Sequence, residues 1–495
     1  MARRLWTTSA LAIVVVLVGA CASSASPSTG ASAPPSAAAS ASAAASADAS
    51  AAPPSAAPSV APALPTLPTQ YAELDQALDP AKPFNAKKVI IQVQWPGGEL
   101  INFTNSVKDF AAATGIVVEI QSVVSSHETV LRSRIDGGAP PDLAMLAQPT
   151  PVLAYGAAGK AIDVATFMDP AKLRAEHTTT IDLVSTGDQI WGIPYKADVK
   201  STVWYPIKAF EAKGYTVPKT WEELLTLSDK IVTDGANPWC VSAGGPGDAT
   251  GWQITDWVEE IVLKTKGVDY YNQWIRHEVP FQDPGIKDVF DNYVGKIFFT
   301  PNYVFGGNQA IINTDQKFTM DPMFEQDLAA PKCWMQKIPT WYGPDFFPDQ
   351  RTSLQPSKYV IGTDVGMFPF PEIDPAQKNV LGSADTLMVF VDKPEVRAVA
   401  QFLATPAGIQ NWIRAGSAIS ANTSTPPEWY EGFYKLDVAA EIANSAAAVG
   451  FDASDLMPGA VGAGSFWKQS VDWVNNGGTN TDAVLKAIDD SWPAQ

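Results

Sequence analysis

Val89-Ile90-Ile91-Gln92-Val93 is a short apolar run, the first of three whose order decides the fold. After it, Phe103, Val107, Phe110 and Ala111 recur at helical spacing, and Gly115 supplies a stop. Ile116 to Val123 reads as a second strand. Ser125, with Glu128 three residues on, predicts a capping box for a helix carrying Val130, Leu131 and Ile135, closed by Gly137 and Gly138. Asp142 to Leu146 is the third strand, behind a Pro140-Pro141 turn. Strand, helix, strand, helix, strand predicts an α/β architecture with a mostly parallel sheet and helices on both faces.

Downstream the alternation continues. Thr202 to Tyr205, Val360 to Val365 and Thr386 to Val391 read as strands. Thr220 and Glu223 predict a capping box for a helix over Trp221 to Val232. Further helices fit Trp252 to Lys266, Val268 to Arg276, Pro284 to Phe298, Pro394 to Leu403, Pro406 to Arg414, Phe466 to Val474 and Asp482 to Ser491. No internal repeat of fixed period is present. A body of roughly 425 residues exceeds one typical domain and predicts two lobes.

Upstream the character changes. Ala22 to Thr69 is almost wholly Ala, Ser, Pro and Thr, with no apolar periodicity to offset the entropy of ordering, and reads as a disordered tether over 21–70. Before it, Arg3 and Arg4 precede the apolar stretch Leu5 to Val18, then Gly19, Ala20 and Cys21. That pattern predicts a secretory signal over 1–20. Val18-Gly19-Ala20-Cys21 resembles the lipobox of bacterial lipoproteins, which implies lipidation of Cys21 and an anchor on the outer face of a membrane; an ordinary cleaved signal is the alternative.

Lys and Arg total 34 against 52 Asp and Glu, a balance that argues against nucleic acid and anionic membrane surfaces as partners. Beyond Cys21 only Cys240 and Cys333 remain. In an oxidising exported setting they read first as a disulfide, with two buried thiols as the other reading.

Four stretches carry a resemblance. They are Phe110-Ala111-Ala112-Ala113-Thr114-Gly115-Ile116, Gly137-Gly138-Ala139-Pro140-Pro141-Asp142, Trp191-Gly192-Ile193-Pro194-Tyr195-Lys196 with Trp204-Tyr205 and Pro218-Lys219-Thr220-Trp221, and Gly251-Trp252-Gln253-Ile254-Thr255-Asp256-Trp257. In this order, over roughly residues 86–492, the chain resembles the extracellular solute-binding proteins of carbohydrate ABC importers. Its pattern is most similar to the alpha-glucoside-binding branch and more distantly similar to maltose-binding proteins. Cys240 and Cys333 sit where that branch also has cysteines. The resemblance implies a hinged, two-lobed periplasmic-binding-protein fold of type II. It places 86–198 with 380–430 in the first lobe and 199–379 with 435–495 in the second. The chain would cross near Ala197–Ser201, near Val380 and again around Trp429–Lys435, and ligand would lie between the lobes.

Sugars present apolar C–H faces ringed by hydroxyls, so aromatic platforms beside carboxylates and amides suit them. Sixteen Trp is many for one chain. Trp95 and Gln148 follow strands directly, at the carboxyl ends where α/β sheets bind ligands, and Glu99 opens the next helix. Trp252 and Asp256 lie one helical turn apart, on one face. Trp467 follows Phe466 on a late helix, and in the distant maltose-binding relatives a matching Phe-Trp supplies a stacking aromatic. Tyr195 and Lys196 stand beside the implied crossing. The candidate ligand-binding set is therefore Trp95, Glu99, Gln148, Tyr195, Trp252, Asp256 and Trp467. For Asp256 a turn-holding role is the other reading, as it is for Tyr195 and Lys196, and Trp191 reads as packing behind the hinge. Trp257, Trp274 and Trp412 have apolar neighbours and read as core. Asp364 and Asp385 flank late strands, and Asp452 and Asp455 stand in a stretch that also reads as a turn.

His127, His177 and His277 are far apart and have no metal-ligand spacing, so no metal or cofactor is expected. Gly156-Ala157-Ala158-Gly159-Lys160 is too short for a phosphate loop, and no G-x-S-x-G elbow occurs. The expected function is capture of a sugar for a permease by a monomeric, non-enzymatic, exported protein. A binder of polyamine or peptide, or a tethered glycoside hydrolase, remains the alternative.

Overall fold

The computed structural model describes residues 64–178, 180–245, 249–324, 328–348, 358–430 and 449–494. Cys21 and the signal and tether expectations lie outside these residues, apart from the tether's last few positions. Strands are β1 Lys88–Val93, β2 Val117–Ser122, β3 Leu143–Leu146, β4 Ser185–Thr186, β5 Gln189–Ile190, β6 Ile193–Val199, β7 Thr202–Pro206, β8 Asn237–Trp239, β9 Cys333–Lys337, β10 Val365–Pro369, β11 Val380–Val389, β12 Ile419–Ser420 and β13 Val449–Phe451.

The first lobe is built on the sheet β12-β6-β11-β3-β1-β2, with β13 also paired to β11. The quoted stretch forms its parallel part: β1 pairs in parallel with β2 and β3. β11 enters beside β3 and runs antiparallel to both β3 and β6, so the sheet is mixed and less parallel than expected. β1 and β3 are buried along most of their length because helices cover both faces. Phe103, Val107 and Phe110 of the helix Gly97–Thr114 lie in this core, and Phe110 stacks on Phe402 at 4.3 Å between ring centroids. Gly156 passes under Trp191, where an added Cβ would stand 2.2 Å from the indole. Trp191 is therefore a packing residue behind the sheet.

The second lobe holds the sheet β10-β7-β9-β8 under a larger share of helix. Its core collects Trp239, Trp257, Trp274 and Phe370, together with Phe466 and Trp473 from the C-terminal helices. Trp257 and Trp274 are buried here and Trp412 in the first lobe, as their apolar neighbours predict. Cys240, directly after β8, is bonded to Cys333 at the start of β9.

Two local expectations need correction. The helix His127–Asp136 has Ser126 as its N-cap, at φ 55°, and no side chain caps it. The Ser125–Glu128 box is therefore absent, because the left-handed turn at Ser126 changes the entry of the chain. The Thr220–Glu223 box does form. The apolar run from Val360 is a turn, with Gly362 at φ 84° and Thr363 N–H donating to the Val360 carbonyl, so the strand starts only at Val365. Gly267 (φ 82°, ψ 171°) breaks the helix Trp252–Ile275 where the sequence places a boundary.

β6 belongs to the first sheet and β7 to the second, so Lys200 and Ser201 carry the chain across. β10 and β11 mark a second passage. The expected third crossing lies almost wholly in residues 431–448, outside the described ones.

Candidate functional site

Lobe-one strands end at one side of the passage, and their carboxyl ends open into a cavity of about 200 Å³. Gln94 and Trp95 reach it from the end of β1, and Glu99 from the first turn of the following helix. Ser126, His127 and Glu128 follow β2, and Gln148 follows β3. Trp252, Gln316, Trp341, Asp452, Asp455 and Trp467 come from the second lobe. Contacts that bridge the lobes beside it include Asn102 Nδ2 donating to Asp345 Oδ1 (2.9 Å) and Thr150 Oγ1 to the Leu456 carbonyl (2.9 Å).

The indoles are held by their own hydrogen bonds. Trp252 Nε1 donates to Gln316 Oε1 (2.9 Å), and its ring lies 5.8 Å from that of Trp341. Trp467 Nε1 donates to Ser454 Oγ (3.0 Å). Gly251, at φ 114°, lets the start of the Trp252 helix approach the Trp467 backbone, where a Cβ would stand 2.4 Å from the Trp467 carbonyl oxygen. These bonds fix ring orientation, so apolar faces line the cavity while the polar edges stay satisfied.

Lys196, Asp198 and Lys200 alternate along β6 and its exit, and all three line the cavity. Lys196 Nζ meets Asp385 Oδ2 (3.1 Å), Asp198 Oδ2 (3.2 Å) and Glu99 Oε1 (3.7 Å). Burial acts to strip its proton, but these carboxylates outweigh burial and hold it charged. Lys200 Nζ bonds Asp256 Oδ1 (2.9 Å) and Asp452 Oδ2. Burial lifts Asp256 to about 6. Burial also lifts Asp452, yet Lys200 and the Ser454 hydroxyl prevail and leave it below the ordinary aspartate range. Glu99 and Asp455 are pushed well up, first by burial. The site carries its positive charges ready neutralised, and the carboxyl edges left over suit hydroxyl groups.

Of the seven candidates, Trp95, Glu99, Gln148, Trp252 and Trp467 come together around the cavity. Tyr195 and Asp256 are not in its wall. Tyr195 points into the first core, where its hydroxyl donates to the Gly408 carbonyl (2.9 Å) among Trp95, Phe103 and Trp412. Asp256 stands behind Lys200. Trp95 is only 2% exposed and meets Trp412 edge-on at 4.8 Å, so little of its ring is offered. Asp364 is remote from the cavity and paired with Lys208 at 2.6 Å. Asp385 lines the wall. The sequence reading missed Asp198, Lys200, Gln316, Trp341 and His127. Charged residues at every second position of a buried strand are the signal that exposes Asp198 and Lys200.

The sequence pattern of the bacterial extracellular solute-binding proteins matches residues 97–410. The chain is 32% identical over 409 residues to the osmoprotective compounds-binding protein GgtB of Synechocystis sp., covering 82% of this chain and 93% of that one. It is 32% identical over 408 residues to the alpha-glucosides-binding periplasmic protein AglE of Rhizobium meliloti, covering 80% and 85%. Among solved structures, a chitin oligosaccharide binding protein superposes with a TM-score of 0.67 at 16% identity, covering 82% of this chain and 98% of that one, which is a likeness of fold.

Proposed function

The chain belongs to the bacterial extracellular solute-binding protein family, and from that premise we propose that it captures an alpha-glucoside or other oligosaccharide between its lobes. It is the extracellular solute-binding component of an ABC importer, and its family and relatives are binding proteins. The observation that carries the sugar reading is the composition of one wall against another. Trp252, Trp341 and Trp467 from the second lobe share a cavity with Gln94, Glu99, Glu128 and Gln148 from the first. Aromatic faces take the C–H faces of a pyranose, and the carboxyl and amide edges take its hydroxyls. The name of AglE supports the alpha-glucoside class.

A polyamine would place ammonium groups among the carboxylates. Lys196 and Lys200 already occupy those positions, which favours a neutral solute over a cationic one. We read the protein as a monomer that leaves its solute chemically unchanged and is held at the membrane through a lipid on Cys21.

Calorimetric titration with maltose, trehalose and sucrose tests the central claim. Trp252→Ala and Trp341→Ala are each expected to weaken binding at least tenfold, about 1.4 kcal/mol. Wild-type affinity in both variants removes the assignment of this cavity. Sugar recovered as cleavage products would move the protein to the hydrolases. Cys21→Ala is expected to release the protein from membranes in a fractionation assay, and continued retention refutes the anchor.

A further inference from the structure

We propose that Gly98 and Asp345 are positioning residues for sugar capture: the bare face of Gly98 is the notch that seats Asp345 of the second lobe when the cavity closes. Gly98 lies in the first turn of the helix Gly97–Thr114, in the first lobe. An added Cβ there would stand 2.9 Å from Asp345 Oδ1 and 3.0 Å from both Asp345 Cα and Asp345 Cβ. Gly98 does not have a positive φ, so its own backbone does not call for glycine. What calls for it is the close approach of the other lobe.

Asp345 arrives on a segment that also builds the cavity. Trp341, four residues earlier, lines the cavity, and its ring meets that of Phe346 at 4.9 Å. Phe346 stacks in turn on Tyr342 at 5.0 Å, within the apolar cluster that holds Cys240, Cys333 and Met367. One rigid turn of the second lobe thus carries both an aromatic wall and the contact to Gly98. Across from it, Asn102 lies four residues after Gly98, on the same face of the helix. Its Nδ2 donates to Asp345 Oδ1 (2.9 Å) and to Ser417 Oγ of the first lobe (3.2 Å), so Ser417 aims the amide at Asp345. No side chain caps this helix, and its dipole favours a carboxylate beside its first turn. Gly98, Asn102 and Asp345 are not in the cavity wall, so the contact acts on a ligand only through the spacing of the lobes. Apparent affinity scales with the fraction of protein able to adopt the closed arrangement. A methyl group on Gly98 would meet the Asp345 backbone, which cannot swing aside as a side-chain tip can, and would wedge the lobes apart.

This inference rests on the cavity being the sugar site, and Gly98→Ala separates the two claims. Alanine is the better helix former, so the thermal midpoint without sugar should hold or rise. Titration with maltose, trehalose and sucrose is expected to show the sugar that wild type binds held about tenfold more weakly by Gly98→Ala. Stopped-flow kinetics should place most of that loss in faster release. X-ray scattering from the full chain at saturating sugar should show compaction of wild type and less of it in the variant. Wild-type affinity in Gly98→Ala, with Trp252→Ala weakened, overturns the notch and leaves the cavity standing. A midpoint that falls along with affinity marks a merely structural glycine and overturns it as well. If wild type binds none of the three sugars, the sugar reading falls and this inference with it.

Discussion

Replacing Lys200 by Met is expected to cost about 3–5 kcal/mol of folding stability at pH 8, because it strands two buried carboxylates. Asp256 and Asp452 are 3% and 1% exposed, and Lys200 is the cation that bonds both. Glu259 does not relieve them; it accepts from the backbone N–H groups of Ala453 and Ser454 (3.0 and 3.2 Å). Without the ammonium, burial dominates: Asp256, already lifted to about 6, goes higher, and Asp452 rises above its unfolded value near 4. The sign follows from linkage. A group with a raised folded pKa supports the fold below its unfolded pKa and loses that support as pH rises through the folded one. The deficit of the Met variant should therefore shrink as pH falls from 8 toward 5. Urea unfolding at both pH values measures it, and an equal deficit at the two, or one below about 1 kcal/mol, refutes the pairing.

The second large effect belongs to the disulfide. Cys240–Cys333 closes a loop of 93 residues and ties β8 to β9, which pair in parallel with Asn237 opposite Cys333. In the chain-entropy model such a loop is worth about 4.6 kcal/mol, and native disulfides typically give 2–5. Both cysteines are almost fully buried in an apolar cluster, so serine in their place also buries two hydroxyls and adds to the deficit. The double Ser variant should lose at least that much stability and unfold at lower urea concentration, and wild type reduced by dithiothreitol should also unfold earlier than the oxidised protein. Superimposed curves for the two proteins would show that the cross-link does not constrain the unfolded chain. The loop includes Trp252 and Gln316, so the same variant should also bind sugar less tightly.

Much of this was legible before the fold was known. The alternation from Val89 to Leu146 marks a parallel core because both faces of those strands are buried and periodicity survives. Placing β11 in the centre of the same sheet is a long-range fact that Thr386–Val391 does not carry locally. β8 and β9 escaped because they are short and hold Pro238 and Lys337, which weaken any strand pattern. In the site, residues that follow strands were found: Trp95 and Gln148 both reach the cavity. Trp341 and Gln316 sit on single 3-10 turns with no period to read. Tyr195 is next to Lys196, which lines the cavity, and Asp256 is bonded to Lys200, which also lines it.

The position of β11 has one more consequence, in the order of assembly. It supplies the strand between β6 and β3, yet it is made after the whole body of the second sheet. While the chain emerges from its N-terminus, β1, β2 and β3 can pair with each other, but the edge of β3 stays open until Val380–Val389 arrives. Contacts so distant in sequence form slowly, because a long loop must close first. Until β11 has been made, the first sheet therefore lacks its central strand, and the first lobe is completed only after the strands of the second sheet exist.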